Sequence, residues 1–228
     1  MNQDTLFKTV IDRINESSLL TEEIVEPELK HPKSFLKILD ADHMNWTSED
    51  FRKVFGMRFK VKIPPLDQLN IIAYPQENKN VPIFLFFCMP TKRKCIAHIN
   101  VYCPFMDDDY KAKFVQPLVD ILNDYAPFDA PDRYPEWMAK NRNEATIYGL
   151  FPADRYEDIV NCAIRYADAY MKAVEATGVE TDPAKLQQLK AFQDEFVSDI
   201  RTQDKAQGMI AKMIGKKTAK RIFYEVTT

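Results

Sequence analysis

The chain has 228 residues, a hydrophobic fraction of 46%, a charged fraction of 29% and a formal net charge of −3. These values are ordinary for a globular protein, and the weak negative charge argues against a general polyanion binder. The longest apolar run, Val81 to Met89, is too short to cross a bilayer, and the acidic N-terminus has no signal-peptide core. We therefore expect one cytoplasmic domain, residues 1–228, with no membrane or nucleic-acid partner.

The signatures of common cofactors are missing from the sequence. The chain has only five glycines, and neither GxGxxG nor GxxxxGK(S/T) occurs, which argues against a bound nucleotide cofactor. The three histidines do not have ligand spacing, so we expect no metal site. The four cysteines form no CxxC pair, and we expect them to be reduced. Cys88 and Cys103 lie in apolar, strand-like runs, where they are predicted to be buried.

Periodicity predicts helices at the N-terminus and strands in the middle of the chain. A first helix is predicted over 4–20, because Leu6, Val10 and Ile14 fall on one face, and a shorter helix over 34–39. A strand over 51–63 alternates from Met57 and ends at Pro64-Pro65. Three further strands are predicted over 69–74, 81–89 and 95–102. The polar connections between them are short, which favours antiparallel neighbours.

The second half of the chain is predicted to be mostly helical. Acidic residues at the start and an apolar stripe indicate a helix over 107–125. A proline-rich loop follows over 126–136 and a strand over 145–151. Four further helices are predicted over 154–177, 183–201, 205–214 and 217–225. This order predicts an α+β fold, a three-layer α/β/α sandwich with a central antiparallel sheet. The run IFLFF (83–87) shows little alternation, so its strand is predicted to be buried on both faces.

Five segments carry a recognisable pattern. TQDKAQGMIAKMIGKKTAKRIFYEV (202–226) contains the element Gln203-Asp204-Lys205 before a helix, and WTSEDFRKVFGMRF (46–59) contains a Phe-Arg-Lys tripeptide at a strand start. The others are IIAYPQENKNVPIFLFF (71–87), INVYCP (99–104) and DRYPEW (132–137). In order and nearly in spacing, these segments resemble the ferredoxin-dependent bilin reductases, whose closing segment has an Asn-Asp-Lys element at the corresponding place.

The resemblance implies a protein that binds a linear tetrapyrrole, such as biliverdin, between the sheet and the C-terminal helices. It also implies that no organic cofactor or metal is bound, that reduced ferredoxin supplies single electrons, and that acidic side chains supply protons. A protonated bilin is easier to reduce, and a carboxyl in an apolar pocket can stay protonated near neutrality. The expected activity is therefore ferredoxin-dependent reduction of a biliverdin-like bilin.

The resemblance assigns candidate site residues position by position. Asp204 matches the aspartate of the closing motif and is the predicted proton donor, although a helix N-cap before Lys205 explains it from sequence alone. Asn70 matches a position where the family has His or Asn near the bilin, the alternative being an exposed strand residue. Arg133 and Lys205 match positions that could pair with propionate carboxylates, and ordinary surface charge is the alternative.

Three positions depart from the family pattern. Phe87 stands where relatives have a central aspartate, and Phe55 and Met57 stand where they have a His and a Glu. A phenylalanine can pack on a pyrrole ring but cannot donate a proton, so Phe87 is predicted to contact the substrate only. Two alternatives therefore stay open: a tetrapyrrole-binding homologue with little or no reductase activity, and a relative that acts on another substrate.

Two further features have competing interpretations. His98 lies on a predicted strand, where a core histidine with satisfied hydrogen bonds is favoured over a catalytic acid. The cluster Lys212, Lys216, Lys217, Lys220 and Arg221 is predicted either to steer an acidic ferredoxin to the pocket mouth or to form a solvated helix face.

Overall fold

The computed structural model describes residues 1–63, 65–131 and 133–228. Pro64, of the pair predicted to end a strand, and Asp132, of the DRYPEW segment, therefore lie outside the described residues. The strands of the described chain form one antiparallel sheet in which each strand pairs with its neighbour in sequence. They are β1 Thr21–Glu23, β2 Leu39–Thr47, β3 Phe51–Val61, β4 Leu66–Pro75, β5 Ile83–Pro90, β6 Lys94–Tyr102 and β7 Ile147–Pro152.

Helices cover both faces of this sheet, which confirms the predicted fold class. They are α1 Gln3–Ser18, α2 Pro27–Lys30, α3 Asp108–Phe114, α4 Gln116–Leu122, α5 Glu136–Ala139, α6 Tyr156–Glu175, α7 Pro183–Gln203, α8 Ala206–Ile214 and α9 Lys216–Arg221. A 3₁₀ turn, Ala153–Arg155, precedes α6, and a π-helical turn, Ile222–Thr227, follows α9.

The two faces of the sheet are buried in separate apolar cores, because alternate residues of each strand point to opposite faces. Phe84 and Phe86 lie in the core that includes α1 and α6. Leu85 and Phe55 lie in the core that includes residues of α7, α8 and the π-helical turn. Strand β5 is thus buried on both faces up to Phe86, as its sequence predicts, and Phe87 is half-buried.

The predicted helix over 34–39 is wrong. The short helix is α2, which begins at Pro27, and residues 39–47 form strand β2. Asp40, Asp42 and Asn45 are of types that are depleted in strands, so local propensity concealed β2. Its pairing with β3 along nearly its full length, together with burial of alternate residues, outweighs that propensity.

Two of the predicted helices, 107–125 and 217–225, are interrupted in the structure. The helix predicted over 107–125 is divided into α3 and α4 at Val115, two residues before Pro117, whose ring cannot donate a backbone hydrogen bond. The last predicted helix, 217–225, ends as α9 at Arg221 and continues as the π-helical turn. Helix α5 begins at the end of the segment predicted to be loop.

Helix α1 lies close to β3 at a position that has no side chain. A Cβ atom built on Gly56 would lie 2.6 Å from Cζ of Phe7 and 2.9 Å from the Trp46 ring. Both rings belong to the core on this face of the sheet, so they have little room to move.

We expect Gly56→Ala to lower the free energy of unfolding by about 1–3 kcal/mol, the usual cost of overpacking a core. Gly208, in α8, is a matched control, because a Cβ there meets nothing within 4 Å. Gly208→Ala should be neutral or should stabilise the helix by up to about 1 kcal/mol. Urea unfolding measures both variants, and equal effects would contradict the close approach of α1.

Candidate active site

A cavity of about 840 Å³ lies between the sheet and the C-terminal helices. This volume is within the range of roughly 300–1,000 Å³ that is typical of small-molecule sites. One wall consists of side chains on one face of β3 to β7, and the other of residues from α5, α7, α8 and the π-helical turn. The site is therefore built from segments that are far apart in the sequence.

The centre of the sheet wall is a row of side chains set by strand register. Asn70 lies opposite Met57 on β3 and opposite Phe87 on β5, and His98 lies opposite Phe87 and opposite Tyr148 on β7. Directly opposite residues in antiparallel strands share one face of the sheet. All five line the cavity, with Phe87 in the middle of the row.

The predicted site residues converge on this cavity. Asn70 and Phe87 belong to its sheet wall, Arg133 to the loop before α5, and Asp204 and Lys205 to the connection between α7 and α8. Asn70, Phe87 and Asp204 are half-buried, whereas Arg133 and Lys205 are exposed and so lie at the rim. The placement agrees with a binding site, and the role of each residue stays a prediction.

Asp204 is both a cap and a wall residue. Its backbone leaves the helical conformation and ends α7, and its Oδ1 accepts a hydrogen bond of 2.8 Å from the backbone N–H of Ala206 at the start of α8. Burial raises the pKa of Asp204 above the ordinary aspartate value, and the hydrogen bond from Ala206 partly opposes this. The capping hydrogen bond is therefore present and Asp204 also lines the cavity, while its role as proton donor stays a prediction.

Asn70 presents an unsatisfied group beside the cavity. Its Oδ1 is buried and has no hydrogen-bond partner in the described part of the chain. A buried polar atom without a partner costs about 1–3 kcal/mol. A donor on a bound molecule, such as a pyrrole N–H, would satisfy this oxygen.

His98 fits the prediction of a core histidine and also lines the cavity. Its Nε2 lies 3.2 Å from the hydroxyl oxygen of Tyr102 and 3.4 Å from that of Tyr134. Burial lowers the pKa of His98 to about 3, so the imidazole is neutral. Sequence reasoning placed neither His98 nor Tyr148 in the site, because strand alternation alone does not reveal the register that puts both on the face of Phe87.

The wall is poor in carboxyl groups. Phe55 and Met57, at positions where the resemblance leads one to expect a His and a Glu, are buried apolar wall residues. Among the described wall residues, the carboxyl side chains are those of Asp204 and Glu136, and Glu136 is exposed. Asp204 is thus the wall carboxyl that is withdrawn from water.

The C-terminal basic cluster is only partly available to a partner. Arg221 forms ion pairs with Glu26, Glu28 and Glu225, so its charge is largely neutralised. Lys212, Lys216 and Lys217, by contrast, are exposed. They lie on α8 and α9, and α8 also supplies Ile210 to the cavity wall.

The cysteines and possible metal ligands do not add to the site. All four cysteines are free and buried, as expected for Cys88 and Cys103. Over 1–63, 65–131 and 133–228, no group of three or more His, Cys, Asp or Glu side chains is placed to hold a metal ion. None of the helices described in these ranges is long and apolar enough to cross a membrane.

Comparisons with known proteins agree with this architecture. The family described as ferredoxin-dependent bilin reductase matches residues 7–227. The 15,16-dihydrobiliverdin:ferredoxin oxidoreductase of Nostoc punctiforme is 20% identical over an alignment of 166 residues, and the match covers 68% of this chain and 65% of that protein. The match thus spans slightly less than two thirds of the length of this curated relative.

Two solved structures have a similar fold. Phytochromobilin synthase from tomato, in complex with biliverdin, gives a TM-score of 0.86 at 15% identity and covers 99% of this chain and 84% of that one. PcyX gives a TM-score of 0.55 at 13% identity, with 97% and 95% covered. At such identities these likenesses concern the fold alone.

We predict that Asp204→Asn reduces the dependence of stability on pH. Because the pKa of Asp204 is raised, the folded state binds its proton more tightly than the unfolded chain does. The resulting stability is present below the unfolded pKa, about 3.9, and is lost as pH rises through the folded pKa. Asparagine keeps the capping oxygen without a charge.

The free energy of unfolding of Asp204→Asn, relative to the unmodified chain, should therefore increase as pH rises from about 4 towards neutrality. Urea denaturation at a series of pH values measures this difference. A difference that does not change with pH would show that Asp204 is not withdrawn from water.

Proposed function

This chain belongs to the family of ferredoxin-dependent bilin reductases, and we propose that it reduces a linear tetrapyrrole, a biliverdin-like bilin, with single electrons from reduced ferredoxin. The supporting observation is the cavity, which combines apolar walls, one carboxyl withdrawn from water and a cationic rim. Reduced ferredoxin acts as an external donor, so the reaction requires no bound organic cofactor or metal.

The cavity suits a flat, largely apolar molecule that carries carboxylates at one edge. Phe87 and Leu85 on the sheet, with Phe196 and Ile210 on the helices, provide opposing apolar surfaces for pyrrole rings. Arg133 and Lys205 at the rim can pair with propionates while these stay near water, and a guanidinium can do so through two hydrogen bonds.

Asp204 is proposed as the proton donor. Reduction of one double bond consumes two electrons and two protons, and each electron makes the tetrapyrrole more basic. A carboxyl whose pKa is raised by burial keeps its proton closer to neutrality, where it can act as a general acid. Asp204 lines the cavity at the connection between α7 and α8, from which it would face a ligand seated on the sheet.

The exposed lysines of α8 and α9 are proposed to guide ferredoxin. An acidic partner would be attracted to Lys212, Lys216 and Lys217, close to the helices that enclose the ligand. Attraction of this kind raises the association rate and is screened by salt. The rate of bilin reduction at limiting ferredoxin should therefore fall as the salt concentration rises.

Absorption spectroscopy tests the proposal. Biliverdin mixed with the protein should change its spectrum, and reduced ferredoxin should then bleach the bilin band or produce a new one. Asp204→Asn should lower the rate of this second change about 10²- to 10⁴-fold, the usual contribution of a general acid, with little effect on affinity. Glu136→Gln, which neutralises the exposed wall carboxyl, is the matched control and should react like the unmodified protein.

The position of Phe87 favours one alternative function. If biliverdin binds but ferredoxin causes no second change, the chain is a tetrapyrrole-binding homologue that lacks reductase activity. Phe87→Asp would then be expected to introduce turnover, although it places a carboxyl among apolar side chains. Brisk reduction that is undiminished in Asp204→Asn would instead show that Asp204 is not the donor.

A second experiment tests the cationic rim. Arg133→Ala and Lys205→Ala should each weaken binding of biliverdin by about 5-fold or less, because exposed ion pairs contribute roughly 0.2–1 kcal/mol. Biliverdin dimethyl ester has no propionate charges, so its affinity should be the same for all three proteins. Equal losses for biliverdin and its ester would contradict pairing with the propionates.

A further inference from the structure

We propose that His98 is a second proton donor to the bilin and that the hydroxyl group of Tyr134 replaces the proton that His98 gives up. This inference rests on the proposed function and deepens it. It identifies a proton source on the sheet wall, where Phe87 cannot serve as one.

The need for this donor follows from the balance of the reaction. Addition of two hydrogen atoms across a double bond takes two electrons and two protons, and one carboxyl holds only one proton. Asp204 belongs to the helical wall. Phe87, at the centre of the sheet wall, has no exchangeable proton, so a second proton delivered from that wall comes from another group.

His98 is the titratable side chain nearest to Phe87 in the register of the sheet. The two residues are directly opposite each other on β5 and β6 and both line the cavity. Such pairs have Cβ atoms about 4.5–5.5 Å apart. The other partner of Phe87 is Asn70, whose amide is not an acid. A ligand that rests on Phe87 therefore lies beside the imidazole.

The hydrogen bonds of His98 are suited to a relay. Nε2 lies 3.2 Å from the Tyr102 hydroxyl and 3.4 Å from the Tyr134 hydroxyl, and these hydroxyls also interact with each other. Nδ1 has no partner within the described chain. A neutral imidazole has one donor and one acceptor nitrogen. If a tyrosine donates to Nε2, Nδ1 carries the proton that a ligand can receive.

Three aromatic rings hold the imidazole in place. Tyr102, Tyr134 and Tyr148 pack on His98 edge to face, with ring centroids 6.1, 5.5 and 5.1 Å from its own. The side chain is only 6% exposed. The ring therefore cannot turn easily, and the same nitrogen faces the ligand in each turnover.

The proposed step balances as follows. Reduced ferredoxin gives one electron to the bilin and forms a radical anion. The Nδ1–H bond breaks as its proton moves to a nitrogen or oxygen of the radical anion, and the Tyr134 hydroxyl proton moves to Nε2. The tyrosinate then takes a proton from water. The second electron, from another reduced ferredoxin, and the proton of Asp204 complete the addition of two hydrogens.

Burial makes this relay selective for the reduced substrate. It lowers the pKa of His98 to about 3, so the ring starts neutral, and raises the pKa of Tyr134 to about 12, so the hydroxyl is a weak acid. Proton transfer along this chain is unfavourable towards a weak base. A radical anion is a much stronger base than the oxidised bilin, so it draws the proton only after the electron has arrived.

Single-turnover reduction of bound biliverdin by reduced ferredoxin tests the inference. His98→Gln keeps an amide donor but cannot relay a proton, so its rate should fall about 10²- to 10⁴-fold while affinity stays near that of the unmodified protein. Tyr134→Phe should show a smaller loss, because Tyr102 can still reach Nε2, and a reduced solvent deuterium isotope effect. A purely structural role would leave that isotope effect unchanged.

Tyr170→Phe is the matched control. Its hydroxyl is also buried but donates to Pro82 O, at 2.8 Å, on the opposite side of the sheet, so the rate and isotope effect should not change. Tyr148→Phe tests the other hydroxyl of the sheet wall. A large loss in Tyr148→Phe with a normal rate in His98→Gln would overturn the assignment of His98.

The outcomes separate this inference from the proposed function. If the unmodified protein neither binds nor reduces biliverdin, both are overturned. If it reduces biliverdin and Asp204→Asn is slow but His98→Gln and Tyr134→Phe are fast, only the relay is overturned. If His98→Gln does not fold, Tyr134→Phe, which loses a single oxygen atom, decides through its isotope effect.

Discussion

Removal of a few polar groups from water, at the boundary between the sheet and the C-terminal helices, determines the character of this site. The same burial raises the pKa of Asp204, keeps His98 neutral and leaves the Asn70 oxygen without a partner. Burial thus favours the neutral forms of Asp204 and His98, whereas the unpaired Asn70 oxygen is costly in an empty cavity. Under the proposed function, one ligand would satisfy this oxygen and accept the protons that burial retains.

The fold produces this burial through two local features. The sequential antiparallel sheet places one side chain from each of β3 to β7 in a single row, so strand register decides which groups meet. The break between α7 and α8 brings Asp204 to the opposite wall, and its hydrogen bond to Ala206 fixes the carboxyl there. The side chain that accepts the hydrogen bond from the first residue of α8 is thus also the proposed acid.

Much of the fold could be predicted from the sequence, because β3 alternates, β4 to β6 are apolar runs bounded by proline or polar turns, and α6 and α7 have long helical patterns. Strand β2 could not, since its acidic residues have low strand propensity and its pairing with β1 and, along most of its length, with β3 is not visible in the sequence. The convergence of Asp204 with Asn70 followed from the resemblance to a family, not from periodicity. The relation of His98 to Phe87 was hidden, because it depends on the register between β5 and β6.

The central claim is that the cavity seats a linear tetrapyrrole with Asp204 in reach of its reacting atoms. The most direct test is a crystal structure of the protein with biliverdin bound. The bilin should lie between the sheet row and α8, with a carboxyl oxygen of Asp204 about 2.6–3.2 Å from a pyrrole nitrogen or a lactam oxygen. A bilin bound outside the cavity, or an Asp204 carboxyl turned away from it towards solvent, would contradict the account.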